Sequence, residues 1–207
     1  SPRFFTPRKL ALAVALALGG EGAYAAAVDC TVSVATDDGA GNTANTLSWA
    51  IKTANTDVVA THPAAHPGGG CNGNTITLTT DVTLTGVMKR LINSNITLQS
   101  HGAIRTISGD NLYRPLFIKS GTVTLKNLNL SNGKAQGGRS GGAGFGGALF
   151  VYNGAVTVEN VSFISNNATG GGGGFGGGGG MFGNGGSGGG GLFGNSDGNS
   201  GGYGGLD

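Results

Sequence analysis

Two stretches of the chain alternate apolar with polar residues, and they are copies of one another. Gly121 to Gly138 reads GTVTLKNLNLSNGKAQGG and Gly154 to Gly171 reads GAVTVENVSFISNNATGG. Laid over each other without a gap, they match Val-Thr at 123 and 156, Asn127 with Asn160, and Ala135 with Ala168. In each copy the aliphatic positions run with period two (Val123, Leu125 and Val156, Val158). The period breaks at the Asn and resumes at Leu128, Leu130 and Val161, Phe163. Period two predicts a strand with one buried face, and the break predicts a corner that opens a second short strand. Such a unit cannot bury its aliphatic face alone. A recurring pair of short strands therefore predicts the rung of a solenoid, with rungs stacked about 4.8 Å apart. Asn suits the corner because it tolerates the left-handed backbone region, and stacked Asn side chains can hydrogen-bond along the axis. Two unrelated β-hairpins in a sandwich are the alternative.

Further short strands are predicted at TITL 75 to 78, VTLT 82 to 85, ITL 96 to 98, AIRTISG 103 to 109, LFI 116 to 118 and ALFV 148 to 151. Gly, Asn, Ser and Asp connect them with no helix between, which predicts an all-β body of four or five turns over residues 75–169. Ahead of it, Thr31 to Val34 alternates like a strand. Leu47, Ala50, Ile51 and Ala54 fall at helical spacing after Thr46, predicting a short amphipathic helix capped by Thr46 that closes the open end of the stack. Residues 26–74 are thus expected to form an amino-terminal cap.

The two ends of the chain read differently. Arg3, Arg8 and Lys9 precede the apolar run Leu10 to Leu18 and the small-residue stretch ending Ala23-Tyr24-Ala25, the layout of a secretory signal peptide over residues 1–25. The run is far shorter than the roughly 20 residues that span a bilayer. From Gly170 to Asp207 glycine dominates, and the sparse Phe, Met, Leu and Tyr cannot offset the entropy of ordering it, so a disordered tail or a long loop is expected. GxGxxG matches inside that run lack the strand, helix and lysine of a phosphate cradle.

Charge narrows the function. Only 11% of residues are charged, and beyond Ala25 nine cations face nine anions. A neutral body without clustered Lys and Arg argues against a nucleic-acid partner. Behind an export signal, Cys30 and Cys71 are expected to pair as a disulfide, with two buried thiols as the alternative. His62 and His66 each precede Pro in a loop and find no third metal ligand. Asp110 with Arg105 and Arg114 is the nearest approach to a reactive cluster, and a solvated surface grouping explains it as well. His101 reads as a turn residue. No catalytic residue, metal ligand or cofactor site is assigned. A flat Thr array on the strands (Thr75, Thr77, Thr79, Thr83, Thr85, Thr97) is a third possibility, suited to a crystalline surface such as ice.

The segments TLSWAIKTANT and NTITLTTDVTL, the tetrapeptide Gly146-Gly147-Ala148-Leu149 and the tetrapeptide from Phe163 to Asn166 resemble the right-handed parallel β-helix passengers of autotransporter-like and polymorphic outer membrane proteins. In that family a GGA-aliphatic and an FxxN motif recur. This chain has one copy of each, with LNLS at 128 to 131 standing where a second FxxN would fall. The resemblance covers about residues 43–172. It implies export, display at the cell surface, outer membrane or extracellular space, and adhesion to a host or matrix glycan or protein. It also implies attachment to the outer membrane only through a carboxy-terminal barrel that these 207 residues do not contain, so the chain is expected to be the amino-terminal part of such a passenger. A pectate lyase-like, polysaccharide-degrading enzyme on the same fold is the alternative. It would need a calcium-binding carboxylate cluster or paired acids facing one groove.

Overall fold

The computed structural model describes residues 28–55, 70–137 and 143–171. The signal-peptide segment, the loop with His62 and His66, and the Gly-rich stretch beyond Gly171 lie outside the described residues. Twelve strands and one helix follow in order: β1 (Val28–Val32), β2 (Thr36–Asp37), α1 (Leu47–Ala54), β3 (Cys71–Leu78), β4 (Val82–Leu84), β5 (Ile96–Ser100), β6 (Arg105–Ser108), β7 (Leu116–Ile118), β8 (Thr122–Ser131), β9 (Lys134–Gln136), β10 (Leu149–Val151), β11 (Ala155–Ile164) and β12 (Asn167–Thr169).

Every pairing between these strands is parallel. The largest sheet runs β1-β3-β5-β8-β6-β4-β2 with β11 on β8, and it curls into a half-barrel; β7 with β10 and β9 with β12 form two smaller sheets. The curl comes from β8 and β11, whose first halves continue the β1-β3-β5 face and whose second halves, beyond Asn127 and Asn160, continue the β2-β4-β6 face. Val156 lies directly over Val123 and Phe163 over Leu130, so the two copies of the repeat stack in register. Each face is five strands deep, as in the column Cys30, Ile76, Leu98, Leu125, Val158. The protein is thus an all-β parallel solenoid.

The stack starts earlier than Thr75. β1 and β2 already pair with β3 and β4, so part of the region expected as a separate cap supplies the first layer. β1 belongs there because Cys30 and Val32 alternate inward onto Ile76 and Leu78.

The interior is aliphatic. Ile76, Leu78, Leu84, Ile92, Leu98, Ile107, Leu116, Ile118, Leu125 and Leu128 are wholly enclosed. Helix α1 packs Leu47, Ala50, Ile51 and Ala54 against β1 and β3, and the Thr46 hydroxyl accepts the Trp49 N–H at its amino terminus. Cys30 and Cys71 form a disulfide within this core, joining β1 to β3. Among the described residues, no helix is long and apolar enough to cross a membrane.

One buried carboxylate ties α1 to the sheet. Asp37, 1% exposed, accepts the N–H of Gly39 at 2.8 Å, the N–H of Ser48 and the hydroxyl of Ser48 at 2.6 Å. The acceptor sits over the first turn of α1, where unpaired N–H groups and the helix dipole favour negative charge. Asp37→Ala removes the acceptor for three buried donors, so a loss of about 2–4 kcal/mol is expected by chemical denaturation. Asp37→Asn should recover part of it. Replacing both Cys30 and Cys71 by Ser should cost about 3–4 kcal/mol in the same measurement, from restored unfolded-state entropy.

Candidate functional site

The expected functional positions fall into two groups, rung corners and one side of the stack. Asn127 and Asn160 sit at φ 54° and 52°. The Asn160 side-chain NH2 donates to the Asn127 side-chain oxygen at 2.9 Å, and the Asn127 carbonyl accepts the Ser100 hydroxyl at 2.6 Å. The left-handed residue lets β8 and β11 turn a corner, and the amide ladder joins successive corners.

Asn166, the last residue of the FxxN tetrapeptide, is a clamp between rungs. Its oxygen accepts the Gly133 N–H at 2.7 Å and its nitrogen donates to the Leu130 carbonyl at 2.8 Å. Phe163, the first residue of that tetrapeptide, lies on Leu130 in β11 and is half exposed. Gly146 adopts φ 52°. A Cβ on Gly147 would come within 2.4 Å of the Asn167 carbonyl oxygen, so only glycine lets the backbones approach there. Ala148 is buried, and Leu149 pairs with Leu116.

Arg114 holds this corner from the other side. Its Nε donates to the Gly146 carbonyl at 2.8 Å and one terminal nitrogen to the Phe145 carbonyl at 2.7 Å. The guanidinium lies 6.0 Å from the Phe117 ring centroid and 5.7 Å from that of Phe150, within the range of a cation–π contact. Phe117 and Phe150 meet edge to face at 5.0 Å. Burial pushes the Arg114 pKa down to about 10, which leaves it charged at neutral pH. The three residues Arg105, Asp110 and Arg114 therefore do not form one cluster. Asp110 is an exposed turn residue at φ 53°. Arg105 stands on β6 opposite Leu128, with its Nε buried and finding no protein partner. Among the described residues the ion pair is Lys126 with Glu159, at 3.0 Å and half exposed.

Beside the 109–113 turn lies a concave polar groove of about 410 Å³, lined by Asn111, Gly133, Lys134, Gln136, Asn167 and Thr169. Its floor is the β9–β12 pair, in which Lys134 faces Asn167 and Gln136 faces Thr169. The rim is fixed by backbone bonds from Asn111 to the Asn132 carbonyl at 2.7 Å and from Lys134 to the Tyr113 carbonyl at 2.9 Å. Inside, the Thr169 hydroxyl donates to the Asn167 side chain. Amides, a hydroxyl and an ammonium can bind the hydroxyls of a sugar or the backbone of a peptide. They supply no carboxylate pair for glycosidic cleavage. Residue-by-residue reading passed over these positions, although the aligned repeats held the signal: Ala135 and Ala168 match, and the residues flanking them in both copies are polar.

Stacking also sorts the threonines. Thr75, Thr97, Thr124 and Thr157 form one outward column. The neighbouring column reads Thr31, Thr77, Gln99, Lys126, Glu159, and Thr83 lines up with Thr36, Ser108 and Ser131 on the second face. The flat array several threonines wide is therefore a single column beside mixed polar and charged residues. Comparison of the chain with protein-family models, curated proteins and solved structures gives no match.

Arg114→Lys keeps the charge but cannot fork to two carbonyls, so it should cost about 1–3 kcal/mol in denaturant titration. Asn127→Ala forces an alanine into the left-handed region and should cost about 1–2 kcal/mol more than Asn127→Gly.

Proposed function

We propose that this chain is an exported, non-catalytic surface protein: a right-handed parallel β-helix, closed at its first layer by α1, in which the rungs act as a rigid spacer and the loops and groove make contacts. The right-handed sense follows from the strong chirality preference of parallel crossovers. Its partners are host or matrix glycans or proteins, bound at the cell surface or outside it, and the chain serves as the amino-terminal part of an autotransporter-type passenger. The observation that carries this reading is the Cys30–Cys71 disulfide set in the apolar core, because such bonds persist in oxidising, extracytoplasmic compartments. The basic-then-apolar start of the chain and the uncharged polar lining of the groove support it.

Expression of the whole chain in a Gram-negative host provides the test. The outcome expected is a shortened protein, cleaved near Ala25 or Ala27, recovered outside the cytoplasm with Cys30 linked to Cys71 by mass spectrometry. A full-length cytoplasmic product with two free thiols would overturn the export reading. Binding of the purified protein to arrayed matrix glycans and proteins, weakened at least about tenfold by Lys134→Glu with Asn167→Ala, is expected from the contact reading. Turnover of a polysaccharide would replace that reading with the enzymatic one.

A further inference from the structure

The last described rung presents an unfinished face. β11 pairs with β8 along one edge, and no described strand covers the other. Val158, Phe163 and Ile164 are 52%, 49% and 47% exposed, whereas Val123, Leu125, Leu128 and Leu130, on the rung beneath, are 0% exposed. A ten-residue parallel edge with an aliphatic face invites another strand. The remainder of the chain offers no matching ribbon, since residues 172–207 contain no Val, Ile or Thr. Repetition head to tail is also blocked, because α1 packs on the β1 and β3 end of the stack.

The order of residues along β11 names an occupant. Asn160, at φ 52°, resets the alternation, so Val156 and Val158 point inward before the corner and Val161 and Phe163 after it. About the midpoint between Glu159 and Asn160 the pattern is its own mirror image: Val158 matches Val161, Thr157 matches Ser162, Val156 matches Phe163. A two-fold axis through that corner, perpendicular to the stacking axis, lays a second β11 antiparallel on the first. Val156 then faces Phe163 of the second copy and Val158 faces its Val161. The outward Thr157 faces Ser162, and the only charge on the strand, Glu159, already paired with Lys126, faces an Asn.

We propose that the β11 edge is a self-complementary interface that joins two copies of this chain tail to tail through antiparallel β11 pairing. The contact is isologous, so it closes at a dimer and does not propagate into a fibre. It goes beyond the scaffold reading, giving a double-length rod with α1 at both ends, and its failure would leave the export and contact tests untouched.

Light scattering on the 207-residue chain should give twice the chain mass. Val158→Lys with Phe163→Lys, both at exposed positions of the single chain, should weaken self-association by at least about tenfold while leaving the circular dichroism spectrum and melting unchanged. Thr157→Lys, on the outward side of the same strand, should weaken it far less. Under oxidation, Thr157→Cys with Ser162→Cys should crosslink the two copies. A monomer at all accessible concentrations, a dimer that survives the double lysine variant, an open-ended polymer, or a dimer lacking the 157–162 crosslink would each overturn the proposal.

Discussion

In-register stacking of identical aliphatic positions is the constraint on which the other features rest. A single rung carries too little apolar surface to hold its own shape, so Leu98, Leu125 and Ile76 are buried only because each lies over the next in one column. Register then leaves no freedom. A slip by one residue would turn the whole column outward. Glycine at the corners serves the same end: Gly121 and Gly154 both take φ near 100°, and a Cβ on Gly154 would lie 2.2 Å from the Gly121 carbonyl oxygen. Rung separation is set by backbone hydrogen bonding, and the corners must meet at that distance.

Polar residues inside such a stack are tolerated where they finish hydrogen bonds that the turns leave open. Asp37 satisfies donors of a turn and of the first turn of α1, Asn166 satisfies a donor and an acceptor of the rung below, and Arg114 satisfies two carbonyls of the 145–146 turn. These three residues represent three charge types with one task. Each replaces water that the packing has excluded, and for that reason a charge at such a position does not by itself indicate chemistry.

The groove and the β11 edge differ from those positions because their chemistry is not consumed internally in the same way. The groove exposes side chains from two rungs over a backbone-fixed floor, and the edge exposes an aliphatic face whose equivalents elsewhere are covered. A spacer with one polar recess and one apolar end has the two kinds of surface that a surface-displayed assembly uses, a contact patch and a joint.

Local pattern determined the elements. Period-two aliphatics with an Asn interruption marked β8 and β11 together with their corner, helical spacing after Thr46 marked α1, and the repeat itself implied parallel stacking, because all of these depend on neighbours within a few residues or on self-similarity. The tertiary structure alone decided what meets across rungs. The separate layer expected before Thr75 became the first rung when β1 and β2 joined β3 and β4. Arg114 left Asp110 for two carbonyls 31 and 32 residues away. The scattered threonines resolved into one column, and Lys134, Gln136, Asn167 and Thr169 converged on a groove. Loop lengths between rungs vary, so the sequence separation of two residues does not reveal which of them share a layer. That assignment belongs to the hydrogen-bonded register, which forms only when the rungs are stacked.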